Sequence, residues 1–340
     1  MFLRRFIELI QNSQEQQLEK AKAKLQLHMW PIAGAKLTQE EVIRLEDSLK
    51  TNPKDLRART LVVGYLQSNR NEDNNQRCLQ HQLWIIEHEP RSELVNSVCG
   101  INDILCPDAY KTATQLWSEH LKKNPKDPDI LKNAASYFFL SDESLAEELL
   151  TRGKALRPKD PDWSDKLARL HRSGKLKDAA RALKELEESY KLQRGRPAEL
   201  SSLEDLPLYA FEAGEFALAK KYANKLLAWA KEAKDGADKS QYLHRAFTAL
   251  GLLELQNKNT STAKEYLLKS AAVTGSPVLN SFGPNFLLAK ELFNLNEKEI
   301  VLEYLKLCSK FWYRADKTNV EKWTTQIMSG EFPEEFSTCC

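Results

Sequence analysis

A chain of 340 residues with 42% hydrophobic and 29% charged side chains has enough apolar surface for a continuous core and too much for a disordered polymer. Fifty Lys and Arg stand against 48 Asp and Glu, a net charge of +2, so no global field draws the chain to nucleic acid or to an anionic membrane. Six cysteines, at 78, 99, 106, 308, 339 and 340, form no disulfide framework in a chain this long, and only 12 glycines argue against a glycine-rich enzyme scaffold; the expected setting is reducing and cytoplasmic.

The first ten residues place Phe2, Phe6, Leu9 and Ile10 on one side of a short amphipathic helix, while Arg4, Arg5 and Glu8 interrupt any signal-peptide core. This helix is expected to dock on the first repeat or, as a weaker reading, to lie at a membrane interface; no stretch reaches transmembrane length. Helical rhythm over Leu18 to Leu27 breaks at Pro31 and Gly34, which sets apart N-terminal helices at 1–37. Thr38-Gln39-Glu40-Glu41 then reads as a capping box, and Val42, Leu45 and Leu49 form the buried stripe of the helix it starts.

From here the chain is punctuated. Asn52-Pro53-Lys54-Asp55 returns as Asn124-Pro125-Lys126-Asp127 and as Arg157-Pro158-Lys159-Asp160, with Pro90 of Glu89-Pro90-Arg91-Ser92 between them. The prolines step by 37, 35 and 33 residues, the period of a helical repeat. Proline stops one helix, and the following aspartate caps the next. The spacing predicts helix pairs at about 55–68 with 74–88, 92–105 with 108–123, 128–140 with 142–156, and 161–172 with 175–193. Arg194-Gly195-Arg196-Pro197 divides this first block, 38–193, from a second, 194–316. The second block holds pairs at about 199–212 with 215–233, 239–256 with 260–273, and 284–294 with 297–313. A capping helix near 318–329 and a tail from Gly330 complete a section at 317–340. The fold class expected is all-α, an α-solenoid of antiparallel helix pairs, with no run of strand alternation.

Chemistry is sparse along this pattern. Cys78-x-x-His81 with His88 puts three ligand types near one helical face, but zinc sites use a fourth ligand, so packing is the reading for that helix and no metal or cofactor is expected. Cys99 and Cys106, seven apart, suit a core stripe. There is no phosphate loop, nucleophile elbow or paired His-Glu zinc motif. The basic stretch Arg152 to Lys177 is interrupted by Asp160, Asp162 and Asp165 and reads as solvated faces. Trp84, Trp117 and Trp229 fall in second helices and are expected in the core. The aromatic run Lys310-Phe311-Trp312-Tyr313-Arg314 is expected to be covered by the terminal helix through Val320, Trp323 and Ile327. Thr274 to Asn285 is a long loop of the kind that sits at a binding rim. Cys339-Cys340 resembles a dual prenylation signal, although the segment before it is acidic.

The stretch 244–277 carries Phe247, Leu250, Gly251, Ala263, Leu267 and Pro277 in an order that resembles a tetratricopeptide repeat; Gly214 with Ala219, and Gly64, add partial matches. The likeness covers about 50–313. More loosely, Asn133-Ala134-Ala135, Leu145 to Leu150 and Asn280 to Asn285 resemble uncharacterised bacterial proteins of this class. The resemblance implies a right-handed superhelix whose first helices line a concave groove for a protein or peptide partner. Lys132, Asn133, Tyr137 and Arg245, with Asn280 and Asn285 of the long loop, are the contact candidates it suggests. Lys132 and Asn133 are neighbours and not one turn apart, so the carboxylate-clamping subtype is not supported. The function expected is a non-catalytic scaffold without nucleic-acid or membrane partners. The alternatives are an enzyme or enzyme-associated domain with a site between repeats, and a peripheral adaptor lipidated at Cys339 and Cys340.

Overall fold

The computed structural model describes residues 25–195, 199–232 and 237–338. These residues are all-α with no strand among them, and successive helices pack on their neighbours as in a helical repeat. Two compact units divide the chain, Met1–Arg157 and Pro158–Cys340. The predicted N-terminal helix over 1–10 and the pair Cys339-Cys340 lie outside the described residues.

The first unit contains α1 (25–34), α2 (Gln39–Thr51), α3 (Leu56–Ser68), α4 (Glu72–His88), α5 (Val95–Val98), α6 (Pro107–Lys123), α7 (Pro128–Phe138) and α8 (Glu143–Leu156). The capping box forms as expected: the amide of Glu41 donates to Thr38 Oγ1 at 3.3 Å, and the amide of Thr38 donates to Glu41 Oε2 at 2.8 Å. Asp55 and Asp127 cap α3 and α7 by accepting from their first amides. Each proline that ends a helix also leaves a carbonyl to satisfy. Pro53 O accepts from Arg59 Nη2 at 2.9 Å, Pro90 O from Asn133 Nδ2 at 2.8 Å, and Pro125 O from Arg152 Nη2 at 2.7 Å. The punctuation thus stops a helix and ties the turn to a neighbouring one.

One pair departs from prediction. The helix expected over 92–105 is the single turn α5, followed by irregular chain to Cys106. Val98 O accepts from two side-chain amides, Gln67 of α3 at 3.1 Å and Gln82 of α4 at 2.5 Å, so it does not serve the next turn of a helix. Asn102 Oδ1 then accepts from the Leu105 amide at 2.8 Å, a local turn that competes with helix.

Close approach explains two glycines here. A Cβ on Gly64 of α3 would lie 2.1 Å from Pro31 O, and one on Gly34 would lie 2.0 Å from Leu61 O, so α1 and α3 touch backbone to backbone. Gly64→Ala is expected to lower the urea midpoint of the first unit by an amount equivalent to about 1–3 kcal/mol, the cost of overpacking; an unchanged midpoint would remove the close contact from the account.

The second unit contains α9 (Pro161–Arg172), α10 (Ala179–Gln193), α11 (Glu199–Glu212), α12 (Phe216–Glu232), α13 (Ala237–Gln256), α14 (Thr260–Ala271), α15 (Pro277–Phe282), α16 (Leu287–Asn294), α17 (Lys298–Cys308), α18 (Lys317–Ser329) and a 3₁₀ turn at Glu334–Thr338. The Gly-Pro break near 195 falls inside this unit, and α10 packs on α11 across it. Gly251 of α13 lets α16 approach, since a Cβ there would meet Leu288 Cδ2 at 2.2 Å, while Ala263 of α14 is fully buried.

Three details correct the sequence reading. The long loop at 274–285 holds α15, begun by Ser276, whose hydroxyl accepts from the Leu279 amide, and by Pro277 at its first position. Trp229 is 40% exposed and so not a core residue, whereas Trp117 is fully buried. The stretch after Gly330 is no free tail, because Phe336 is 2% exposed and stacks on Phe286 with centroids 3.8 Å apart. The expected cover over the aromatic run does form: Trp312 stacks on Trp323 of α18 at 5.1 Å.

Candidate functional site

The shortened α5 leaves an opening in the first unit. Around it lies a cleft of about 810 Å³ walled by the end of α4, by α5, by the irregular chain 99–105, by the start of α6 and by the end of α7. Its floor is apolar, with Ile86 and Val95 buried beneath it. Tyr110 of α6 and Tyr137 of α7 form one wall as a stacked pair with centroids 5.4 Å apart. The Tyr137 hydroxyl donates to Tyr110 O at 2.9 Å, and burial pushes its pKa up to about 12, so it stays a protonated donor. Ile104, Leu105 and Leu140 stand at the rim with 86%, 76% and 90% of their surface in solvent. Large aliphatic side chains this exposed around one concavity make it the candidate site of the first unit.

Asn133 sets the polar side of the cleft from below. Its amide nitrogen donates to Pro90 O at 2.8 Å and to Ser92 O at 3.0 Å, which fixes its Oδ1 as the acceptor for Asn96 Nδ2 at 2.7 Å. Two backbone carbonyls therefore orient Asn133, and Asn133 orients Asn96, which lines the cleft and whose own oxygen has no partner among the described residues.

The remaining predicted contact residues scatter. Tyr137 lines the cleft, Asn133 is buried behind it, and Lys132 is half-buried with a partner inside the protein. In the second unit Arg245 is held by Asp205 of α11, and Asn285 is buried, its amide donating to His244 Nε2 at 2.8 Å. Asn280 lies near Tyr313, with 3.5 Å between Nδ2 and the hydroxyl. Asn285 also borders a small pocket of about 250 Å³ beside Arg172 and Glu212. Those two side chains pair through Nε to Oε2 at 3.1 Å and Nη2 to Oε1 at 2.9 Å, with the guanidinium 4.5 Å above the Tyr209 ring. Gln241 likewise donates to Glu204 at 2.8 Å. These contacts staple α9 to α11 and α11 to α13, and the Arg172 and Arg245 guanidiniums are each answered by a carboxylate of α11.

Cys78, His81 and His88 do not converge. Burial pushes the Cys78 thiol up to about 11, His81 meets Arg59 Nη1 at 2.9 Å, and His88 stacks on Trp84 at 4.3 Å. Among the described residues no group of three or more His, Cys, Asp or Glu is placed to hold a metal ion, and no helix is long and apolar enough to cross a membrane.

Sequence reasoning missed Asn96, Asp103, Ile104, Leu105 and Leu140. The signal was present: Gly100 and the Asn102-Asp103 turn pair sit inside the segment read as helix, and apolar Ile104-Leu105 follow a turn where polar residues are usual. No protein-family model matches the chain, and no curated protein sequence matches it.

Proposed function

We propose that the chain is a non-catalytic interaction scaffold, a right-handed superhelix of tetratricopeptide type, that holds a protein segment in the cleft of its first unit. The cleft carries this reading, because three exposed aliphatic residues surround an apolar concavity at a pair whose first helix is cut to a single turn. The proline ladder, the sequential helix packing and the fully buried Ala263 near Gly251 support the architecture. In the second unit the Arg172 and Arg245 guanidiniums are each paired with a carboxylate of α11, a structural use of charge that fits the scaffold reading. A cytoplasmic setting belongs to the same proposal, on the buried Cys78 and Cys99 thiols, which desolvation keeps protonated.

A photo-crosslinking amino acid placed at Leu140, with Gln115 on the exposed face of α6 as control, tests the reading in the native cell. The expected result is a discrete adduct from position 140 that is absent from position 115 and lost when Leu105 is changed to Asp. Equal labelling from both positions would reject the cleft as the docking site.

A further inference from the structure

We infer that the segment bound in the cleft carries a large apolar side chain beside a lysine or arginine and offers a backbone amide to Asn96. The inference rests on the docking reading above and adds the chemistry of the partner. Three observations carry it.

The first is the rim. Ile104, Leu105 and Leu140 line the cleft with most of their surface in solvent, more than a small molecule inside it would cover, whereas a chain segment running over the opening covers them while one side chain fills the floor. The second is the orientation of Asn96. One of its two amide hydrogens is taken by Asn133 Oδ1, and its oxygen has no partner among the described residues, so it is free to accept from a peptide N–H. The third is charge. Among the described residues Asp103, exposed at the rim, is the only carboxylate that borders the cleft, and no lysine or arginine borders it. Asp103 makes no ion pair among the described residues, and a cation of the partner supplies one. An acidic segment would instead meet a like charge with nothing basic to offset it.

The test uses the full chain and three pools of fluorescein-labelled dodecapeptides. All pools vary Leu, Ile, Phe and Trp at the centre and differ only in flanks of Lys, Gln or Glu. Fluorescence anisotropy at low salt is expected to rank the pools Lys, then Gln, then Glu, with about a twofold to fivefold step in affinity per exposed pair, shrinking as salt is added. Asp103→Lys is expected to reverse the order, and Leu140→Asp to weaken all three pools at least tenfold. Both positions are exposed, so neither change disturbs the core. Loss of binding in Leu140→Asp without a Lys preference would overturn the charge inference and leave the docking reading intact. Binding of no pool, binding indifferent to Leu140→Asp, or uptake of only a small apolar dye would overturn both.

Discussion

Changing His244 to Ala is expected to lower the stability of the second unit by about 3–5 kcal/mol and to flatten its response to acid. His244 is 1% exposed. Its Nδ1 lies 2.9 Å from Ser270 O, which only accepts, so Nδ1 carries the proton; Nε2 accepts from the Asn285 amide at 2.8 Å. The ring is therefore neutral, and it joins α13 to α14 and to the chain entering α16. Alanine leaves a buried carbonyl and a buried amide without partners, each costing about 1–3 kcal/mol, and adds the loss of packing around the ring. Burial pushes the imidazole pKa down to about 4, from an ordinary value near 6.5. Above pH 6.5 neither state binds the proton and the residue adds no pH dependence. Between pH 6.5 and 4 the unfolded chain binds it and the folded one does not, so stability falls with acid by about 3 kcal/mol across that window. Urea titrations from pH 7.5 to 4, followed by tryptophan fluorescence, should show this slope in the native chain and its loss in His244→Ala. Parallel slopes in the two proteins would show that the ring is not buried neutral.

The rhythm of the chain was legible because each mark of punctuation has a local physical cause. Proline cannot donate and restricts the residue before it, and aspartate accepts from free amides, so Pro53-x-Asp55 and Pro125-x-Asp127 predict a stop and a start without knowledge of the fold. The cleft was legible only in part: Gly100 and Asn102-Asp103 mark a break in the chain, but what ends α5 is long-range. Nothing within Ser92 to Leu105 announces that Gln67 and Gln82, from two other helices, both donate to Val98 O and end α5 there. Asn133 illustrates the same limit. Its place on a first helix suggested a ligand contact, but its amide is consumed by the turn carbonyls of Pro90 and Ser92, and the exposed contact passes to Asn96. Trp229 and Phe336 invert each other for a related reason. Periodicity locates a face within a helix, but it gives no account of which neighbour arrives to cover it.

Phe336 decides how the second unit closes, and two forces compete for the credit. Lys322 pairs with Glu335 at 2.5 Å, while the adjacent Phe336 ring stacks on Phe286 and meets Trp323 edge-on at 5.0 Å, with Phe332 5.5 Å away. The Lys322 side chain is 55% exposed, so solvent screens the ion pair and holds its contribution to about 0.2–1 kcal/mol. Full burial of a phenylalanine among aromatic rings is the larger effect, and Phe336→Ala is expected to cost about 3–5 kcal/mol. Lys322→Ala should therefore barely move the thermal midpoint, while Phe336→Ala should lower it by several degrees or more. Truncation after Gly330 should do at least as much, and it should shift tryptophan emission to the red as Trp312 and Trp323 meet water. If Lys322→Ala proved the costlier change, the end of the unit would be held by charge and the aromatic ring would be its passenger. The physical expectation is the reverse: the apolar plug seats the turn, and seating the turn brings Glu335 within reach of Lys322.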